Sequence, residues 1–275
     1  MKLTVPELEK KAAGLRIASM KMIMGAGGGH LGGSFSAMDI MTALYFNVLR
    51  IDPENPDERG RDRFILSAGH KAAGYVPVLA ERGYFSKDLL PTFNKLESRF
   101  GVHPDKNKIP GCEVSTGSLG HGLAIGLGMA LALRMDGLDS KVYVLLGDGE
   151  LHEGTNWEAA MGAAQHKTSS LVAIVDYNKC SMDGPIDQVV SLEPLVEKWK
   201  AFGWDTIRID GNDMAAVLAA LQNAADRGSR GEPVAIIADT IKGKGAAFAE
   251  GDYRWHYGCP SDEQLAESIK ALGGI

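Results

Sequence analysis

The chain has 275 residues, of which 45% are hydrophobic and 23% charged, with a formal net charge of −6. That is ordinary globular composition with enough length for one large core; with no basic block, it lacks the electrostatic footprint of a nucleic-acid binder and is poorly suited to an anionic membrane surface. The longest run without a polar side chain, Gly122 to Leu133, has twelve residues and is too short to span a bilayer.

From Glu7 to Met24 apolar residues recur at helical spacing, and the run stops in Gly25-Ala26-Gly27-Gly28-Gly29, which no helix would continue through. The start of the chain carries Lys2, Glu7, Glu9, Lys10 and Lys11 on an amphipathic pattern, unlike a signal peptide, so a cytoplasmic protein is expected. A second helix is predicted from about Ser36 to Leu49, then a surface turn at Pro53 and Pro56. Phe64 to Ser67 reads as a short buried strand leading into Gly69-His70 and another helix. The stretch from Pro91 to Gly120 is irregular, and loops of that length in a compact domain usually serve function. The helix that follows, Leu123 to Met135, is rich in Gly and Ala, which lets another backbone come close.

The pattern then becomes regular: strand Val142 to Leu146, helix Thr155 to His166, strand Leu171 to Asp176, helix Leu192 to Phe202, strand Thr206 to Ile209, helix Met214 to Ala225, strand Val234 to Asp239. Strands alternating with helices predict an α/β fold, a doubly wound parallel sheet flanked by helices, as a single domain over residues 1–275. Ligands of such sheets bind at the carboxyl ends of the strands. From Asp262 onward the chain reads as a surface helix. Cys112, Cys180 and Cys259 are odd in number and widely spaced, so they are read as reduced thiols.

Two of these strands end in residues suited to a hard cation. Gly147-Asp148-Gly149 closes one and Asp176-Tyr177-Asn178 the next, offering a carboxylate and an amide oxygen on one sheet edge. Magnesium usually takes one or two protein ligands and completes its shell with phosphate oxygens and water. Gly149 lets the backbone approach a phosphate near the start of the following helix. Of the seven histidines, His30, His70, His103 and His256 fall in predicted loops or beside glycine turns, where a side chain faces a cleft. Gly27 to Gly32 spells Gly-x-Gly-x-x-Gly, but it follows a helix rather than a strand, so no dinucleotide site is expected there.

Gly-Asp-Gly at a strand end, a helix, and a hydrophobic strand ending in Asn, with 28 residues between Gly149 and Asn178, resembles the fingerprint of thiamine diphosphate enzymes. Five further blocks in order narrow the resemblance to transketolases: Gly29-His30-Leu31-Gly32-Gly33, Arg63 to His70, Val102-His103-Pro104, Thr116-Gly117-Ser118-Leu119-Gly120 and Trp255-His256. The resemblance implies a thiamine diphosphate-binding fold and a magnesium ion, replaceable by calcium or manganese, held by Asp148, Asn178 and the main-chain carbonyl of Cys180. It implies that His70 and His256 contact the diphosphate or the reacting carbons, and that His30 and His103 bind substrate hydroxyls and move protons. Gly117, Ser118 and Leu119 would present backbone to the cofactor. Lys242 matches a position beside the diphosphate and reads equally as a solvated loop lysine.

Glu153 and Glu158 match glutamates of a network linking paired active sites, although Thr155-Asn156-Trp157-Glu158 also fits a helix capping box. His121 departs from the family, where glutamine is usual. His152 and His166 read as helix-end residues. The implied activity is transfer of a two-carbon ketol unit from a ketose phosphate to an aldose phosphate, as in the pentose phosphate pathway. Full transketolases carry a second domain that binds the aminopyrimidine ring, and only 19 residues follow His256. A partner chain carrying that C-terminal portion is therefore expected, in a two-plus-two heterotetramer. The alternatives are a ketol transferase for an unusual sugar and the alpha chain of an oxo-acid dehydrogenase; the blocks around His30, His70 and His103 weigh against the latter. A cofactor-binding subunit without catalysis is disfavoured by the intact set of metal and histidine positions.

Overall fold

A computed structural model describes residues 2–227 and 231–274. Its framework is a five-stranded, all-parallel sheet in the order β1-β2-β3-β5-β4, formed by β1 (Arg63–Leu66), β2 (Val142–Gly147), β3 (Leu171–Tyr177), β4 (Asp205–Asp210) and β5 (Val234–Asp239). In β2, β3 and β5 successive side chains go to opposite faces, and both faces are covered. Tyr143, Leu145, Val172, Ile174, Val234 and Ile236 pack on one side. Val142, Val144, Leu146, Ala173, Val175, Ala235 and Ile237 pack on the other. This is why the central strands read as continuous apolar runs rather than alternating ones.

The first face is closed by α1 (Val5–Gly25), α2 (Leu31–Ser36), α3 (Met38–Ala43), α4 (Ala72–Arg82) and α9 (Met214–Arg227); the second by α5 (His121–Met135), α6 (Gly154–Gln165) and α8 (Leu195–Ala201). A short α7 (Ile186–Val189) and a terminal α10 (Asp262–Ala271) complete the helices of the described residues. None of these helices is long and apolar enough to cross a membrane. The predicted doubly wound α/β architecture is the one observed.

Two helix predictions need correction. The second helix begins at Leu31, not near Ser36, and runs as α2, α3 and a π-turn over Leu44–Val48. Gly32 and Gly33, which punctuate the sequence like a loop, sit inside α2 and are glycines because distant segments crowd them: a Cβ on Gly32 would lie 2.8 Å from both Lys242 Cγ and the Trp255 carbonyl oxygen. Farther on, α8 starts at Leu195 rather than Leu192, since Pro194 holds the preceding residue out of helical conformation.

Helix α5 approaches the sheet through glycines. A Cβ on Gly122 would fall 2.3 Å from Ser67 Oγ and 2.9 Å from its Cα, whereas Gly128 on the same helix has nothing within 4 Å. Gly122→Ala is accordingly expected to cost about 1–3 kcal/mol through overpacking. Gly128→Ala is expected to be neutral or to stabilise by up to about 1 kcal/mol. Urea unfolding of the two variants, compared at equal slope, checks the pair.

Candidate active site

Because every strand pairs in parallel, the carboxyl ends all emerge on one edge, and four of them deliver polar residues to a single cavity of about 430 Å³. β1 leads to His70 and Lys71, β2 to Asp148 and Gly149, β3 to Asn178 and Cys180, and β5 to Lys242; all line the cavity with His30, His103, Gly117, Leu119, Glu153 and His256. The register of β2 on β3 sets Gly147 opposite Asp176, so Asp148 and Asn178 leave adjacent strands at nearly the same level.

The candidate metal donors are held by backbone. Asp148 Oδ1 accepts from the Gly149 N–H (2.8 Å) and Oδ2 from the Lys179 N–H (2.6 Å), while Asn178 Oδ1 accepts from the Cys180 N–H (3.1 Å). Burial, with the neighbouring Asp176 carboxylate, pushes the Asp148 carboxyl up to about 6. The Cys180 carbonyl accepts from Lys242 Nζ at 3.0 Å, which leaves its second lone pair. Among the described residues no three Asp, Glu, His or Cys side chains form a cage. A lone carboxylate with an amide and a main-chain carbonyl suits magnesium that completes its shell from phosphate and water. A Cβ on Gly149 would come no closer to other elements than 3.9 Å, from Ser181 Cβ, so its absence leaves that volume to the cavity, as a phosphate beside the metal requires.

Beneath these donors lies Asp176, fully buried. Its carboxylate accepts from the Lys71 ammonium, the Ser36 hydroxyl (2.6 Å), the Thr240 hydroxyl and the Asn178 amide nitrogen (3.2 Å). By taking the amide nitrogen it turns the Asn178 oxygen the other way. Glu150, also buried, accepts from the Ser67 hydroxyl and from the N–H groups of Gly120 and Gly147, each 3.0 Å. It thus ties the Thr116–Gly120 loop to the end of β2. Lys71, Glu150 and Asp176 escaped the sequence reading; the available signal was a charged residue directly inside or beside each recognised block.

The four histidines converge. Ring centroids of His30 lie 5.3 Å from His70 and His256 and 6.1 Å from His103, and His70 is 5.2 Å from His256. Gly29 and Gly258 exchange two backbone hydrogen bonds of 3.0 Å, which sets the His30 and His256 segments side by side. His103 rides on the long irregular loop, anchored where Thr116 Oγ1 donates to the Leu66 carbonyl (2.7 Å). Its ring abuts Gly117, at φ +152°, where a Cβ would meet it at 3.0 Å. Lys242 Nζ lies 3.2 Å from His256 Nδ1; with the ammonium donating, the imidazole proton is on Nε2. His30 Nδ1 is buried without a hydrogen-bond partner among the described residues.

The structure therefore unites His30, His70, His103, Gly117, Leu119, Asp148, Gly149, Glu153, Asn178, Cys180, Lys242 and His256. Lys242 is 1% exposed, not a solvated loop lysine. Ser118 and Glu158 are exposed and line no part of the cavity. The capping box is not formed either: Thr155 Oγ1 donates to the Gly120 carbonyl at 2.9 Å, and the N-cap of α6 is Glu153. His166 closes α6 and His152 ends a 3-10 turn over Gly149–His152, both as expected; His152 also lines the cavity and pairs with the Val190 carbonyl at 2.9 Å. His121 stays outside, 3.1 Å from the Leu119 carbonyl.

Burial, reinforced by its neighbours His103 and Lys242, pulls His30 down to about 4; burial and Lys242 pull His256 down to about 3. Between those values and the ordinary imidazole value near 6.5 the unfolded chain binds more protons, so these groups subtract stability as the pH falls through that window. His30→Gln is expected to gain stability relative to the parent as the pH drops from 7 to 4, measured by denaturant unfolding at each pH. A constant difference would contradict the burial of a neutral imidazole.

Residues 8–274 match the family model described as transketolase, thiamine diphosphate binding domain. The chain is 38% identical to an apulose-4-phosphate transketolase subunit of Phocaeicola vulgatus over 98% of its own length and 94% of that protein. It is 41% identical to the 6-deoxy-6-sulfo-D-fructose transketolase subunit of Clostridium sp. over 97% and 96%. The crystal structure of transketolase from Campylobacter jejuni superposes with a TM-score of 0.92 at 30% identity, covering 99% of this chain and 43% of that one. The chain thus spans less than half the length of the solved transketolases it matches, and it belongs to the transketolase family as a thiamine diphosphate-binding domain.

Proposed function

We propose that this chain, with a partner subunit, transfers a two-carbon ketol unit from a ketose phosphate to an aldose phosphate, using thiamine diphosphate and magnesium. The observation that carries the reading is the meeting in one cavity of the Asp148–Asn178 pair of strand tips with four histidines. When bound, the cofactor supplies the carbon centre that attacks the ketose carbonyl and retains the two-carbon unit. Asp148, Asn178 and the Cys180 carbonyl hold the magnesium. Lys242, His70 and the backbone at Gly149 take the diphosphate, and Gly117, Leu119 and Glu153 border the rest of the cofactor. His30, His103 and His256 move protons to and from substrate oxygens. Burial holds His30 and His256 below the ordinary imidazole range, which favours neutral rings that can donate or accept hydrogen bonds at substrate oxygens.

The partner is a chain carrying the pyrimidine-binding portion, in a cytoplasmic two-plus-two assembly. Two observations support it. The two relatives described above, matched over nearly their whole length, are named as transketolase subunits. The cavity mouth also exposes apolar side chains, Met182 at 64% and Val189 at 40%, which a covering surface would bury. A second reading concerns the sugar: those relatives are named for apulose 4-phosphate and 6-deoxy-6-sulfo-D-fructose, which favours an unusual ketose over the sugars of the pentose phosphate pathway.

Asp148→Ala is expected to weaken magnesium-dependent thiamine diphosphate binding at least about 100-fold in the complex with the partner, by loss of the carboxylate donor; calorimetric titration reads it, and unchanged binding would discard the metal assignment. Assay of the pair against ketose and aldose phosphates, including branched and sulfonated sugars, is expected to give ketol transfer with a preferred donor. Full activity of the isolated chain would refute the partner requirement.

A further inference from the structure

The Lys71 ammonium is 1% exposed and paired with the Asp176 carboxylate, which has no solvent exposure. Asp176 has three neutral donors besides, Ser36, Thr240 and Asn178, so its hydrogen bonds do not all depend on Lys71. The pair lies beside the candidate metal donors. Asp176 and Asn178 are two apart on one extended segment, so their side chains share a face, and the Asp176 oxygen is 3.2 Å from the Asn178 amide nitrogen. Lys71 lines the same cavity as Asp148, and a Cβ on Gly147, the residue before Asp148, would be 3.7 Å from its Nζ. Two carboxylates, Asp148 and Asp176, thus face two buried ammonium groups, Lys71 and Lys242.

We propose that Lys71 is a resident counter-cation that withholds Asp176 from divalent metal, so that the chain takes up its metal only in company with a diphosphate. This rests on the metal and diphosphate reading above and adds a residue that sets the order of loading. With Lys71 in place, a dication entering alone meets one free carboxylate and two fixed positive charges. With a diphosphate, the ligand brings the missing negative charge and oxygen donors. Without Lys71, the Asp176 carboxylate would be unneutralised, and its charge beside that of Asp148 would attract a dication without help from a phosphate.

The test is manganese binding to the full chain, read by the electron paramagnetic resonance signal of free Mn²⁺, with and without inorganic pyrophosphate. The parent is expected to bind Mn²⁺ at least tenfold more tightly with pyrophosphate than without. Lys71→Met is expected to raise affinity for Mn²⁺ alone at least tenfold, and Lys71→Met combined with Asp176→Asn to lose that gain. Lys71→Gln keeps a donor toward Asp176 while removing the charge, and is expected to follow Lys71→Met if the latter folds poorly by near-ultraviolet circular dichroism. Unchanged metal-only affinity in both Lys71 variants, with the pyrophosphate effect intact in the parent, would overturn the role of Lys71 alone. Absence of Mn²⁺ binding by the parent even with pyrophosphate would overturn the metal and diphosphate reading and this inference with it.

Discussion

One carboxylate without access to water organises the site. Asp176, next to last in the central strand β3, receives donors from α2 through Ser36, from the turn after β1 through Lys71, from the residue after β5 through Thr240, and from just past its own strand end through Asn178. A buried charge is tolerated only when it is paired and hydrogen-bonded, so the four segments are obliged to meet there. Their meeting sets the floor on which the Asp148 and Asn178 donors stand.

The region above that floor is governed by desolvation. The histidines come from the start of α2, the turn after β1, the long loop and the segment before α10; the other three rings lie 5.3 to 6.1 Å from that of His30, and His70 is 5.2 Å from His256. Four imidazolium ions at that spacing would repel strongly in a poorly solvated cavity, whereas neutral rings do not. Burial is the leading cause of the lowered proton affinity at His30, His70 and His256. The same environment lowers that of Lys242. Burial thus disfavours charge on those three imidazoles, while Lys71 is paired with the Asp176 carboxylate.

Glycines of two physical kinds shape the site. Gly27 and Gly28, with φ of +75° and +149°, make the turn that ends α1. Gly32, Gly69 and Gly122 instead exist for close approach: Lys242 and the Trp255 carbonyl press on the first, the Thr116 backbone on the second and Ser67 on the third. The three contacts join α2, the Thr116–Gly120 loop and α5 to the strand ends, so glycine composition here encodes the packing of the site as much as its turns.

Much of this was legible in the residues themselves. Alternation of apolar runs with helical patterns is a local property, and it specified the parallel sheet and hence the shared edge on which Asp148 and Asn178 appear. The spacing of the Gly-Asp-Gly and Asn blocks, together with the histidine blocks, identified the family to which the chain belongs. What the chain order did not reveal was which charges face one another: Lys71 and Asp176 are 105 positions apart, Ser67 and Glu150 are 83. Nor did it reveal that Gly32 lies in a helix, or that Thr155 bonds to Gly120 rather than capping toward Glu158. Periodicity and turn chemistry act between neighbours and are written in the sequence; ion pairing and backbone contact depend on where distant segments are carried by the fold, and only the tertiary structure decides them.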